Sequence, residues 1–387
     1  MAYSAAQVAQ MDTAFYGAAT RRSIKLAPIT GLSSGSVVSF RAPKAGIGTH
    51  MILTISGTLS RTEGTTVGTV TASPYGPWNA VQGATFLDYA GITRISQLNG
   101  WQLETRRRVQ ILRQSSQLLQ VGGAAPAYQS SVYAFSIPAG TASSTTTAPF
   151  VCQVVVPFSI RENSVRGSFP FTVPEGDSTV TFTLQPEVTM AASGATASPD
   201  NIVLIPYVSG ATTTVSLTSV TVSGTYYYYD APAGTPTPVG EVSQVYELQK
   251  SRITSGLSAG NPAQYTLLTG RTYLRIFEDL VLNGNPDTAD VSQVNFLIDS
   301  STPVRQDNLA EWLAFANDKY AAPPATGSFI FDFFAKPWNP DSYGSLSTQL
   351  QLTSGATVGT LAWLDVTREA LYVAASSPQL AQAGSVA

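Results

Sequence analysis

The chain has 387 residues, room for two or three domains that each bury a core, and only 12% of them are charged, about half of the usual ~25%. A net charge of −3 excludes a general field for polyanionic partners. The single cysteine, Cys152, excludes an intrachain disulfide and fits folding in a reducing compartment.

At the N-terminus, Val8, Met11, Phe15 and Ala19 recur every three or four residues, which predicts a short amphipathic helical arm closed by Arg21 and Arg22. This stretch lacks the apolar core of a signal peptide, and no window approaches the ~18 apolar residues of a membrane span. The expectation is synthesis in the cytosol without insertion into a bilayer.

Beyond the arm the period changes to two. Met51, Leu53, Ile55 and Leu59 alternate with Thr and Ser, as do Val180, Phe182 and Leu184 with threonines, and Leu346, Leu350 and Leu352 follow the same rule. In "FVCQVVVPF", Phe150, Cys152, Val154, Val156 and Phe158 share one strand face, so Cys152 reads as a core residue. In "TYLRIFEDLVL", Leu274, Ile276, Leu280 and Leu282 are assigned to one face, Arg275 and Asp279 to the other. Turn-forming breaks separate these runs, and the Pro-rich stretch 230–240 reads as an interdomain linker. Two internal helices are predicted. One carries Leu98, Trp101, Thr105, Val109 and Leu112, with Gly100 weakening its start. The other spans 307–320, with Asp307 as N-cap and Pro323 and Pro324 as its stop.

One phrase is written twice. "ATFLDYAGITRISQLNGW" ends at Trp101 and "VNFLIDSSTPVRQDNLAEW" at Trp312; Phe86 and Phe296 lie 210 residues apart, the tryptophans 211. In each, an apolar run gives way to an acidic residue, Asp88 or Asp299, then a polar loop and a Trp-bearing helix. A repeat this long points to a duplicated domain instead of a solenoid.

Chemistry-bearing constellations are scarce. His50 is the only histidine, which removes His-based triads and multi-His metal sites, and no phosphate-cradling or dinucleotide fingerprint occurs. Asp88 with Asp299, or Glu278 with Asp279, are the candidate carboxylate pairs for glycoside hydrolysis. The first pair lies in separate domains, and adjacent strand residues face opposite ways. Arg106, Arg107, Arg108 and Arg113 form the densest basic run, but a helix spreads consecutive residues around its axis. Carboxylates of a neighbouring subunit, or solvent, are their expected partners. Tyr226 to Tyr229 read as a packed strand end with at most two rings on one face. No cofactor and no enzymatic activity are expected.

Together, "YGPWNAVQGATFLDYAGITRISQLNGW", "VVVPFSI", the "PVG" linker, "NLAEWLAFANDKY" and "LTSGATVGTLAWLDVTREALYV" resemble the double jelly-roll major capsid proteins of tectivirus-like, membrane-containing double-stranded DNA bacteriophages. The resemblance implies an all-β chain: an arm over 1–22, a first eight-stranded jelly roll over 23–229, a linker over 230–243, a second jelly roll over 244–375 and a tail over 376–387, with one helix inserted in each barrel. It implies a homotrimer forming a pseudo-hexagonal tile of an icosahedral virion capsid, synthesised in the cytoplasm of a bacterial host. The implied partners are neighbouring capsomers, penton and minor capsid proteins and an internal membrane, without direct nucleic acid. By analogy Val8, Met11 and Phe15 are the arm's contacts to membrane or capsomer, and Arg21 and Arg22 meet lipid headgroups. The competing reading is a carbohydrate- or receptor-binding jelly roll using "PWNPDSYG" at 337–344.

Overall fold

A computed structural model of the chain describes residues 3–115, 133–168, 176–299, 301–320 and 325–372. In the first half the principal strands are β1 (Thr20–Lys25), β2 (Val37–Arg41), β3 (Ile47–Glu63), β4 (Val81–Leu87), β5 (Thr93–Leu98), β6 (Thr145–Pro157), β7 (Thr179–Leu184) and β8 (Thr213–Asp230). They build two sheets, ordered β1-β8-β3-β6 and β5-β4-β7-β2. The second half supplies β9 (Val245–Ile253), β10 (Pro262–Thr266), β11 (Thr272–Leu282), β12 (Val291–Ile298), β13 (Thr302–Asn308), β14 (Ser328–Asp332), β15 (Leu346–Leu352) and β16 (Trp363–Tyr372). These repeat the pattern as β9-β16-β11-β14 and β10-β15-β12-β13. In each half the first strand pairs with the last and the third with the sixth, the strand order of a jelly roll. The chain is all-β, a double jelly roll.

Among the described residues there are four α-helices: α1 (Ala5–Ala18), α2 (Gly100–Ser115), the one-turn α3 (Val239–Val242) between the halves, and α4 (Leu309–Tyr320). α2 follows β5 and α4 follows β13, the same place in each barrel. The repeated phrase is therefore a hairpin, β4–β5 or β12–β13, leading into a helix. Both helices open with a reciprocal capping box. Asn99 Oδ1 accepts from Gln102 N at 2.9 Å while Gln102 Oε1 accepts from Asn99 N at 3.1 Å; Asn308 and Glu311 do the same at 3.0 Å each way. The N-cap is thus Asn308. The predicted Asp307 is the last but one residue of β13, where Arg305 binds it at 2.5 Å. Aligned by their caps, the helices are offset by 209 residues (99 to 308), so Trp101 and Trp312 occupy different turns. Pro323 and Pro324 lie outside the described residues.

The alternating runs bury their apolar faces as their period requires. Met51, Leu53, Ile55, Leu59, Val180, Phe182 and Leu184 enter one core, together with Cys152 and its apolar neighbours on β6. Leu346, Leu350 and Leu352 enter the other. Strand β11 has no wet face: every residue after Thr272 is buried. A register shift between Tyr273 and Arg275 turns Leu274 away from Ile276 and into the first barrel's core. The face carrying Arg275 and Asp279 is covered by the first barrel, so it has no solvent side.

The two barrels share one sheet. β5 pairs in parallel with β9 through Ile95 with Leu248 and Ser96 with Gln249, which joins strands of both halves into a continuous nine-stranded sheet. The pairing covers two edges that would otherwise be exposed. Their cores interlock as well: Trp363 and Leu371 of β16 belong to the first core, Val109 of α2 to the second.

Candidate assembly interface

The seam between the barrels contains a buried ionic network. Glu369 on β16 accepts from Arg106 Nε of α2 at 3.0 Å, from Arg275 Nη1 at 2.7 Å and from the Tyr246 hydroxyl at 3.1 Å. Burial disfavours its charge, yet Arg275 and Arg106 hold its carboxyl below the ordinary carboxylate range. Arg106 also donates to the carbonyls of Ser159 and Ile160 at 3.2 and 3.0 Å, so its fork is used by both barrels. Nearer the capping box, Gln102 donates to Asp365 at 3.2 Å, and Asp365 receives Arg252 and Lys250.

The basic run is thereby accounted for within the chain. Arg106 reaches the second barrel, Arg107 binds Glu162 at 3.0 Å, and Arg108 binds Glu104 at 3.0 Å while lying over the Trp78 ring. A neighbouring subunit or solvent was the expected partner; the chain's own carboxylates fill that role because α2 is sandwiched between its two barrels. The side chain of Arg113 lies outside the described residues. Glu369, Arg275 and Tyr246 escape sequence reasoning, although ionisable residues inside "TYLRIFEDLVL" and "WLDVTREALY" are conspicuous in a chain so poor in charge.

The arm is anchored to its own barrel. Phe15 is buried with Ile47 and Val165, packing on Tyr229. Tyr16 donates to Glu241 at 3.1 Å and accepts from Val165 N at 3.2 Å, and Asp12 accepts from Gly240 N at 3.1 Å. Val8 and Met11 remain half-buried. Arg21 and Arg22 do not close the helix. It ends at Ala18, and both arginines lie in β1, drawn into extended form by the free edge of the tyrosine run. Arg21 sits 5.4 Å over the Tyr227 ring, and Arg22 binds Asp230 at 3.2 Å.

The remaining candidates have structural roles. Tyr226 and Tyr228 point inward and stack at 5.4 Å; Tyr227 faces outward and stacks on His50 at 4.6 Å. Burial pushes the His50 imidazole down to about 4, so it is neutral near neutral pH. Burial likewise raises the Cys152 thiol. Asp88 accepts from the N–H groups of Ala90 and Ile92 and from Arg94, capping its turn, whereas Asp299 is exposed at the corresponding corner of the other barrel. Glu278 and Asp279 do face opposite ways, towards Thr348 inside the second barrel and Ser328 at its seam. Burial raises them to about 8 and about 6. Trp338 of the 337–344 loop packs on Phe296 at 5.4 Å and Tyr343 at 5.0 Å. Among the described residues no group of three His, Cys, Asp or Glu is placed to hold a metal ion, and no helix is long and apolar enough to cross a membrane.

The strand order, the helix inserted at the same point of each barrel and the shared sheet define a double jelly roll. No family model matches the sequence, and no curated protein is detectably similar to it. Solved structures do match. The chain is similar to the STIV MCP at TM-score 0.60 and 14% identity, covering 95% of this chain and 100% of that one. A chain of the Sulfolobus turreted icosahedral virus structure matches at 0.59 and 15% identity, covering 94% and 95%. A chain of the PBCV-1 virus capsid matches at 0.55 and 10% identity, covering 91% and 93%. The first of these neighbours is a major capsid protein and the third part of a virus capsid, and what the chain shares with them is the fold.

Proposed function

We propose that the chain is a major capsid protein of a membrane-containing, tectivirus-like double-stranded DNA virus, located in the virion capsid. Three copies form a homotrimer whose barrels make a pseudo-hexagonal capsomer, and capsomers tile an icosahedral shell around an internal membrane vesicle. Neighbouring capsomers, penton proteins and minor capsid proteins are its partners. The observation that carries this reading is the union of two jelly rolls by one sheet and a buried ionic seam, which makes a double tile instead of two barrels on a tether. Such a tile suits flat, permanent contacts. In the arm, Phe15 serves as the anchor, Val8 and Met11 supply the apolar contact to membrane or capsomer, and Arg21 and Arg22 stand at its root.

Electron microscopy of the assembled protein tests the reading: hexagonal tiles are expected, and a stable monomer or isolated spikes overturn it. The carbohydrate-binding alternative is disfavoured because Trp338 packs on its own barrel.

A further inference from the structure

We propose that α4 and the free edge of β13 dock on β1 and the end of β8 of a second copy, reproducing between chains the junction that α2 and β5 make within one. This rests on the capsomer reading and names its interface.

The argument comes from comparing the two inserted helices in the register of their caps, 209 residues apart. On α2 the residues turned to the second barrel are Gln102, Thr105, Arg106 and Val109, all buried. Their counterparts on α4 are Glu311, Ala314, Phe315 and Asp318, all exposed. The same helical face is thus covered in one barrel and open in the other. Arg106 is 1% exposed where its counterpart Phe315 is 40% exposed, an apolar ring at the surface with the Arg305 guanidinium 3.9 Å and the Lys319 ammonium 5.4 Å from its centre. The preceding strands differ in the same way. β5 is paired on both sides, by β4 and β9, whereas β13 ends its sheet with Val304 exposed.

A matching receptor surface exists on the first barrel. β9 and β16, which receive β5 and α2, correspond to β1 and β8. Among the described residues β1 has no strand on its outer side, and its residues are largely exposed. Counted back from the strand ends, Glu369 on β16 and Tyr227 on β8 hold the same place. The pair Arg106–Glu369 therefore has Phe315–Tyr227 as its intermolecular equivalent. Charge is reversed between the two junctions. Within the chain, the helix brings a cation to a carboxylate; between chains, Glu311 and Asp318 approach β1, which carries Arg21 and Lys25. The corresponding face of the second barrel, with Asp365 and Glu369, is already covered by α2 of its own chain, which leaves β1 and β8 to receive α4. A head-to-tail contact of this kind closes into a ring of three when each copy is turned by a third of a circle from the last.

The test uses the full chain with Phe315→Cys and Tyr227→Cys, since Cys152 is the only native cysteine and is buried. A short bis-maleimide is expected to link the double variant into covalent species of up to three chains, and each single variant into no more than two. In parallel, Phe315→Glu is expected to give particles of 40.8 kDa with unchanged circular dichroism. A wild-type trimer that neither cross-links nor responds to Phe315→Glu overturns this interface and leaves the capsomer reading standing. A wild-type chain that remains monomeric at high concentration overturns both.

Discussion

Arg106 of the first barrel and Glu369 of the second meet at 3.0 Å with side chains only 2% and 0% exposed, across 263 residues of chain. The pair joins two halves that each have a core of their own, at a point where neither charge can return to water.

Glu369→Gln leaves Arg106 buried without its carboxylate and Arg275 with Asp332, 3.6 Å away. The expected loss is about 3–5 kcal/mol, the usual consequence of breaking a buried ion pair from one side. Denaturant unfolding checks it, and a change below about 1 kcal/mol would show that the seam is solvated.

Glu278 gives a pH dependence of definite sign. Burial raises its carboxyl from 4.5 to about 8, so the folded chain holds a proton that the unfolded chain releases. Stability is therefore full below pH 4.5 and falls as pH rises through the window up to about 8. Asp279, raised from 3.8 to about 6, adds a fall at lower pH. Glu278→Gln removes the first component. Its Tm measured between pH 6 and 8.5 should be flatter than that of the wild type.

Gly100 opens α2, and helix propensity alone says that Ala would improve the helix by about 1 kcal/mol. A Cβ there would lie 1.8 Å from the carbonyl oxygen of Trp78. Gly100→Ala is expected to destabilise by about 1–3 kcal/mol, and thermal unfolding decides between the two signs.

The arm can be separated from the barrel only at the right residue. Truncation after Ala18 leaves β1 whole and should preserve the trimer while impairing assembly. Truncation after Arg22 removes half of the strand paired with Tyr226 to Asp230 and should destabilise the barrel. Sedimentation of the two products distinguishes them; loss of the trimer in the shorter truncation would refute the separation of arm from tile.

Much of the fold is legible because a strand buried on one face must alternate. Met51 to Leu59 and Val180 to Leu184 declare their inward residues this way. Local capping chemistry likewise marks both inserted helices, although Asp307 drew the start of α4 one residue early because Asp and Asn share the N-cap preference. On β11 the charged residues of the alternation announce no wet face. With the first barrel against its outer side, Arg275 and Asp279 are buried like their apolar neighbours. The assembly face was hidden for a related reason: that Phe315 is open while Arg106 is covered depends on what stands beside each helix, not on the helix itself.

The sequence by itself determined the all-β character, the arm, the duplication and the place of a helix in each copy, because these follow from periodicity and capping over a few neighbouring residues. Only the tertiary structure decided that β5 meets β9, that Arg106 finds Glu369, and that Gly100 must lack a side chain. Those contacts join residues far apart in the chain, and pairing by charge or close approach leaves no period for a sequence to show.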